Sequence, residues 1–266
     1  MLFFVYDIPQ WLFGILTMAV CVIVGVGGLF VARPLVNRVL GPGAGANDIV
    51  SYFLSACGVF YGITLGLIAV GAWQSYSEVS GKVSREASAL AALYNDVSSL
   101  PEPTGKELAA ELRDYTRYVI DVAWPLHRRG EVPKVGTERL DAFRATLYAF
   151  EPASPGRAAL HAEAIRKFND LVELRRERLE AVDTGLPRAL WRVVALGGIL
   201  NICITWFFRV ERVRLHATLV GITSALVGLL IFMTGAMDYP FRGEVSVGPD
   251  SFESVYEQSM RQHERK

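Results

Sequence analysis

Residues 48–100 read DIVSYFLSACGVFYGITLGLIAVGAWQSYSEVSGKVSREASALAALYNDVSSL, and the first half of this stretch carries no charge between residues 49 and 73. A helix needs ~20 apolar residues to cross the hydrocarbon core of a bilayer. Beyond Trp73 the apolar residues recur at helical steps of three and four, at Val79, Val83, Ala87, Leu90, Leu93 and Val97. Because no proline follows before Pro101, we predict one helix from about Asp48 to about Leu100 that leaves the bilayer near Trp73.

Three other stretches also lack charged side chains: residues 11–32, 193–208 and 215–237. Residues 189–191 bring the shortest of them to spanning length, with Arg192 reaching toward the headgroups. We therefore predict an all-α, four-span integral membrane helical bundle. Its spans lie at about 11–32, 49–73, 189–208 and 215–237. We expect the lipid bilayer to surround them.

Most charged residues lie between the second and third spans. Residues 75–187 hold 16 of the 27 basic and 18 of the 27 acidic side chains, which predicts an extramembrane helical domain. The predicted parts are a first transmembrane pair at 1–74, this domain at 75–187, a second transmembrane pair at 188–237, and a tail with a short amphipathic helix at 238–266. The pattern excludes a soluble globular enzyme, a disordered chain and a disulfide-rich secreted domain.

Local signals predict where several elements begin and end. Thr104-x-x-Glu107 fits a capping box that opens a helix to about Arg128, and Trp124-Pro125 is expected to kink or end this helix. Pro34 is expected to end the first span, since proline interrupts the hydrogen bonding of a helix interior. The alternation of apolar and polar residues over 241–247 predicts a short extended segment.

The second span carries two contrasting faces. Gly58, Gly62 and Gly66 form a ridge that allows close helix packing in lipid. The opposite face carries the bulkier residues Phe53, Ala56, Phe60, Ile63, Thr64 and Leu67. One interpretation is that the glycines pack on a neighbouring helix and the bulky face meets lipid or the bundle core. The other is that the bulky face lines a pore in an oligomer, with Phe53 and Phe60 as apolar constrictions that gate by dewetting.

Charged residues are absent from the spans and occur only at their ends, at Asp48, Arg192 and Asp238. Proton relays and ion-coupled transporters use buried acids or histidines, so the pattern disfavours a pump but permits a passive channel. We find no catalytic constellation and no metal-ligand spacing, and we expect no enzyme activity, metal or cofactor. The net charge of zero gives no reason to expect nucleic-acid binding.

Two charge clusters flank the spans on the domain side. They are Arg85 and Glu86 after the second span, and Arg175, Arg176 and Arg178 before the third. They could form a basic vestibule that concentrates anions, or they could be structural, as ion pairs between two adjacent helices or as a solvated face. We favour the structural interpretation.

Seven motifs, in order along nearly the whole chain, carry a family resemblance. They are Trp73-Gln74-x-Tyr76, Arg85-Glu86-Ala87-Ser88-Ala89-Leu90, Leu100-Pro101-Glu102-Pro103, Trp124-Pro125, Arg175-Arg176-Glu177-Arg178-Leu179, Leu186-Pro187-x-x-Leu190-Trp191 and Asp238-x-Pro240-Phe241-x-Gly243-x-Val245-x-Val247-x-Pro249. In these residues the chain resembles the bestrophin-like membrane proteins, a family formerly grouped as a domain of unknown function.

The resemblance implies a channel. Bestrophins are pentameric anion channels with two spans, a helical domain and two further spans, and their second span lines the pore. For this chain the resemblance implies a homo-oligomer, with five subunits by analogy, that conducts inorganic anions. No acidic cluster resembles a calcium clasp, so calcium gating is not carried over.

The orientation in the cell membrane follows from the short loops. Basic residues in short loops mark the cytoplasmic side, and here they are Arg33, Arg38, Arg209, Arg212 and Arg214. This rule places the large domain outside, whereas bestrophins keep theirs in the cytosol. Basic residues on the domain side oppose the rule, namely Lys82, Arg85, Arg175, Arg176, Arg178 and Arg188.

Three functional hypotheses remain open at this point. The leading one is a passive, anion-favouring channel lined by the second span. The second is a membrane scaffold or sensor whose helical domain binds a protein partner. The third is a stator-like, energy-transducing subunit, which would need a partner to supply the missing intramembrane carboxylate.

Overall fold

The structure, a computed structural model, describes residue 6, residues 8–39 and residues 46–261. Those residues form helices and connecting turns without a strand. The helices are α1 (Gln10–Val39), α2 (Ala46–Ser98), α3 (Thr104–Tyr118), α4 (Trp124–His127), α5 (Val135–Ala149), α6 (Pro155–Ala181), α7 (Arg188–Thr205), α8 (Val213–Ala236) and α9 (Asp250–Val255). The glycine- and proline-rich segment 41–45, for which the sequence predicts a loop, lies outside the described residues.

Four of these helices are long and apolar enough to cross a membrane: α1, α2, α7 and α8. The predicted all-α class with four candidate spans is therefore confirmed for the described part of the chain. The helix α1 continues through Pro34 to Val39, beyond the predicted end of the first span, and the point at which it leaves the bilayer stays a prediction. A helix in or near lipid keeps its remaining backbone groups paired more easily than an open chain does, which favours continuation past a single proline.

The chain forms two compact units, and the first comprises residues 1–74, 185–239 and 243–245. In this unit α1 approaches α8 closely at Gly228, where a Cβ would lie 2.8 Å from the Cα of Met18. The rings of Phe13 and Phe232 add an edge-on contact at 5.3 Å. Small residues that let backbones approach are typical of helix packing in lipid.

The second unit comprises residues 75–184, 240–242 and 246–266. Its core is apolar and collects side chains from the second half of α2 and from α3, α5, α6 and α9. Val83, Leu90 and Val97 of α2 are buried in it, as their helical spacing predicts. The helices of this unit turn their apolar faces toward this one core.

One prediction for the second unit is wrong. Thr104 does not cap α3: the cap position is Pro103, with no side-chain hydrogen bond, because Glu107 N already donates to Pro103 O. The predicted helix to about Arg128 is observed as α3, a π-helical turn at Val119–Ala123 and α4, which ends at His127, so the irregular turn lies just before the predicted kink at Trp124-Pro125. Proline follows two residues later and has no N–H to continue the regular ladder.

The segment after α8 forms turns and bends rather than the predicted extended segment. Val247 N donates to Pro240 O at 2.8 Å, which closes the segment into a loop. Gly243 turns the chain with a φ of 82°, a conformation that glycine adopts without steric cost. Phe241 and Val247 are both buried in the second unit, so packing decides their conformation.

Candidate functional site

The bulky face of α2 is uncovered in the single chain. Phe53 and Phe60 are 64% and 73% exposed, and Ala56, Ile63 and Leu67 are also exposed. Thr64 is half-buried and donates its hydroxyl hydrogen bond to Phe60 O at 2.8 Å. The six residues of the predicted pore-lining face thus form one continuous apolar surface whose single hydroxyl is satisfied within the helix.

A different face of α2 is held in place by α7. Leu65 and Ile68 are buried with Val194, and the hydroxyl of Tyr61 donates to Val194 O at 3.1 Å. Because this buried face fixes the rotation of α2 in its unit, the bulky face cannot turn inward without breaking these contacts.

The glycine ridge is a third surface of the same helix. A Cβ on Gly58 would lie 3.8 Å from Asn201 Oδ1, whereas Gly62 and Gly66 have nothing within 4 Å of that position. Gly62 and Gly66 instead line an open cavity of about 320 Å³ with side chains of α2 and α8, namely Leu65, Ala69, Val70, Trp73, Leu230 and Met233, and with Met237. The packing role predicted for Gly62 and Gly66 therefore needs a partner from outside the described chain.

The residues of the two charge clusters fall into a buried group and a more exposed group in the structure. Glu86 and Arg178 are 0% and 1% exposed and form a bidentate ion pair, with Arg178 Nε donating to Glu86 Oε2 at 2.5 Å and Nη2 to Oε1 at 3.0 Å. A vestibule role is excluded for this pair by its burial. Paired guanidinium and carboxylate groups of this geometry are the arrangement that tolerates burial.

Two aromatic rings and a histidine complete the surroundings of Arg178. Its guanidinium carbon lies 5.4 Å from the ring centroid of Trp124 and 5.6 Å from that of Phe252, within cation–π distance. Its Nη1 donates to His127 Nδ1 at 3.1 Å, since a guanidinium has no acceptor. Trp124 Nε1 in turn donates to Val247 O at 3.1 Å.

The electrostatics of this cluster keep its charges fixed. Burial lowers the pKa of His127 to about 3, helped by the charges of Arg178 and Arg175, so the imidazole stays neutral. Burial alone would lower the pKa of Arg178, but the charge and hydrogen bonds of Glu86 outweigh it and raise that pKa. The cluster is therefore a permanent ion pair with a neutral histidine.

The other cluster residues are more exposed. Arg85 lies 3.8 Å from Glu177, and Arg176 pairs with Glu180 one helical turn away. Arg175 Nη2 donates to Thr137 Oγ1 at 3.1 Å. Exposed pairs of this kind contribute little to stability.

Asp238 is a buried carboxylate for which the sequence predicted a position at a span end but no partner. Asp238 accepts hydrogen bonds from Leu186 N at 2.5 Å and from Trp191 Nε1 at 2.9 Å. It ties the segment after α8 to the entry of α7. The two residues belong to the Leu186-Pro187-x-x-Leu190-Trp191 and Asp238-x-Pro240 motifs. Leu186 and Asp238 are 52 positions apart, and neither motif predicts that they are in contact.

The described residues contain no group of three or more His, Cys, Asp or Glu side chains placed to hold a metal ion. The apolar face of α2 offers neither a nucleophile nor an acid–base pair. Chemically, this surface can exclude or admit water and ions but holds no group that would bind an ion tightly.

Comparison with known proteins identifies the fold. A family model described as a Bestrophin-like domain matches residues 11–252. The crystal structure of a point variant of a bacterial bestrophin homolog from Klebsiella pneumoniae is 13% identical, with a TM-score of 0.68 over 94% of this chain and 99% of that chain. The crystal structure of a point variant described as a membrane protein is 12% identical, with a TM-score of 0.67 over 94% of this chain and 97% of that chain. No curated protein sequence matches the chain.

Proposed function

The chain belongs to the Bestrophin-like family, and from that premise we propose that it is a membrane channel: a homo-oligomer that conducts anions passively through a pore lined by α2. The observation that carries the proposal is the uncovered apolar face of α2 at Phe53 and Phe60. By the family resemblance, the subunit number is five.

The three surfaces of α2 support a ring of subunits. One surface is buried on α7 within the chain, which leaves the glycine ridge and the bulky face for other partners. A ring forms when each subunit offers two different surfaces to its neighbours around a closed rotation axis. In such a ring the glycine ridge contacts the next subunit and the bulky face lies at the axis.

The side chains at the axis favour a gate without charge. Phe53 and Phe60 lie two helical turns apart on the same face of α2, so each would contribute a ring of aromatic side chains. Apolar constrictions block ions by losing water rather than by binding them. The preference for anions comes from Arg85, Arg175 and Arg176, whose exposed charges raise the local anion concentration.

The test of this proposal is halide efflux from liposomes that contain the purified protein alone. Phe60→Ala should raise efflux severalfold, because it removes one of the two proposed apolar rings. Phe30→Ala is the matched control, since Phe30 of α1 is also largely exposed but belongs to no pore in this proposal. No efflux from any folded, inserted variant, or equal effects of both substitutions, would contradict the proposal.

We also propose that the chain is a multi-pass protein of the cell membrane, with the domain of residues 75–187 outside, because the short loops carry five arginines. A single cysteine placed in each region tests it, in a chain whose native cysteines are replaced by serine. An impermeant thiol reagent added to intact cells should label Glu151→Cys and spare Arg212→Cys. The reverse pattern would place the domain in the cytosol.

A further inference from the structure

A second cavity lies where the uncharged stretches of three helices end. It has a volume of about 270 Å³ and is lined by residues of α1 and α8 and of the connection between α7 and α8. Arg33 follows the uncharged stretch of α1, and Arg209 follows that of α7. Because charged residues begin where the hydrocarbon core ends, this cavity lies at the depth of the lipid headgroups.

The connection that carries Arg209 is anchored at both of its ends. Asn47 binds the backbone of Arg209 twice: its Nδ2 donates to Arg209 O at 2.8 Å and its Oδ1 accepts from Arg209 N at 2.7 Å. Trp206 Nε1 donates to Gly25 O at 2.8 Å, and His216 Nε2 donates to Thr205 O at 3.0 Å. The backbone is therefore held in one position before any ligand arrives.

One donor of the Arg209 side chain is not satisfied by the described residues. Its Nε is buried and has no hydrogen-bond partner among the described residues. A buried donor without a partner is costly, and a guanidinium fork is matched by the oxygens of a carboxylate or phosphate. The orphan donor therefore indicates an anionic oxygen ligand in the cavity.

The charges of the lining define that ligand further. Arg33 and Arg209 contribute two positive charges and Glu211 one negative charge, which leaves a net charge of +1. This balance complements a phosphodiester, which carries one negative charge, better than a phosphate monoester, which carries up to two. The apolar lining side chains Val36, Trp206 and Phe208 suit the glycerol and the first carbons of an acyl chain.

We propose that this cavity binds the phosphodiester headgroup of an anionic phospholipid. A basic pocket between membrane helices is a recognised way to hold such headgroups. The volume is smaller than the roughly 300–1,000 Å³ of pockets that enclose a whole drug-sized ligand, which fits a headgroup whose acyl chains lie outside in the bilayer. The site is separate from the pore-lining face, and lipid binding there does not depend on conduction.

The experiment measures lipid retention by the full chain in detergent. The protein is incubated with equal amounts of phosphatidylglycerol and phosphatidylcholine that share the same acyl chains, and the bound lipids are counted by native mass spectrometry. We expect phosphatidylglycerol to predominate. Arg209→Gln and Arg33→Gln should each lower its retention by about tenfold, the loss expected for one charge-assisted pair.

The control is Arg212→Gln, because Arg212 is exposed in the same connection but does not line the cavity. It should change retention less than either cavity variant. Equal losses from all three substitutions would show attraction to general surface charge and overturn the proposal. Displacement of the lipid by millimolar glycerol phosphate would assign the site to soluble phosphates and overturn it as well. If Arg209→Gln lowers the melting temperature, Arg33→Gln on a separate helix decides the outcome.

Discussion

The two halves of α2 meet different surroundings. In the first half Phe60 and Leu67 are largely exposed, whereas in the second half Leu90 and Leu93 are completely buried. Both halves are regular helix, so backbone geometry does not separate them. The difference is in what covers the apolar side chains: for the second half it is the core of its own unit, and for the first half it must come from lipid, water in a pore or another subunit.

An exposed apolar side chain indicates different things in the two halves of α2. In a water-soluble domain a continuous exposed apolar surface marks an interaction site. In a span the same surface is also stable against lipid, so exposure alone does not identify a pore. In α2 two surfaces are uncovered while a third is fixed on α7.

The largest expected effect is in the second unit, at the buried ion pair. Arg178→Met should lower the free energy of unfolding by about 3–5 kcal/mol, because it leaves Glu86 buried without a partner. Arg176→Met on the same helix is the control, since its pair with Glu180 is exposed. Thermal unfolding in detergent measures both. Equal shifts would mean that burial of the Glu86–Arg178 pair does not stabilise this unit.

A matched pair of leucines compares the two halves of α2 directly. Leu90→Ala should cost about 2–5 kcal/mol, the range for removing a buried leucine side chain. Leu67→Ala should cost less than about 0.5 kcal/mol, because its side chain packs against little of its own chain. Denaturation of both variants in the same detergent gives the difference. A large loss of stability for Leu67→Ala would show that the first half has a packed core of its own.

The glycine ridge gives an effect on assembly rather than on the single chain. A Cβ on Gly62 would have no described atom within 4 Å, so Gly62→Leu should let the subunit fold, but overpacking of a subunit contact costs about 1–3 kcal/mol. We expect a smaller mass by light scattering in detergent. Gly27→Leu on α1, where a Cβ also has nothing within 4 Å, should leave the mass unchanged. An unchanged mass for Gly62→Leu would remove the ridge from the subunit contact.

The smallest effect, counted per pH unit, is the pH dependence of the second unit. The pKa of His127 is about 3 in the folded chain and about 6.5 in the unfolded chain, so between these values the unfolded state binds the extra proton. Stability should therefore fall as pH drops below 6.5, by up to about 1.4 kcal/mol per pH unit. His127→Gln should show a shallower fall between pH 6.5 and 4.5. Identical slopes would show that His127 is not held neutral.

The parts of the fold that follow from local pattern were predictable from the sequence. The four candidate spans follow from uncharged stretches, and the length of α2 follows from the absence of proline between Asp48 and Pro101. The two contrasting faces of α2 also follow from the spacing of its glycines and bulky residues. The partner that covers the bulky face cannot be predicted in this way, because it is a molecule outside the chain.

The contacts between distant residues were not predictable. Glu86 and Arg178 stand 92 positions apart, and each sits in a charged motif that could equally face solvent. The backbone near a proline is also hard to predict. It forms a π-helical turn at Val119–Ala123 before Pro125, but it continues as α-helix through Pro34 in α1. Periodicity alone does not contain that information.

The most direct test of the central claim is whether water and ions reach position 60. Phe60→Cys and Phe30→Cys are made in a chain whose native cysteines, Cys21, Cys57 and Cys203, are replaced by serine. Single-channel currents are then recorded before and after an impermeant, negatively charged thiol reagent. A pore lined by α2 predicts that the reagent blocks the current of Phe60→Cys and leaves that of Phe30→Cys unchanged. An unmodified current in Phe60→Cys, or a block in Phe30→Cys, would contradict it.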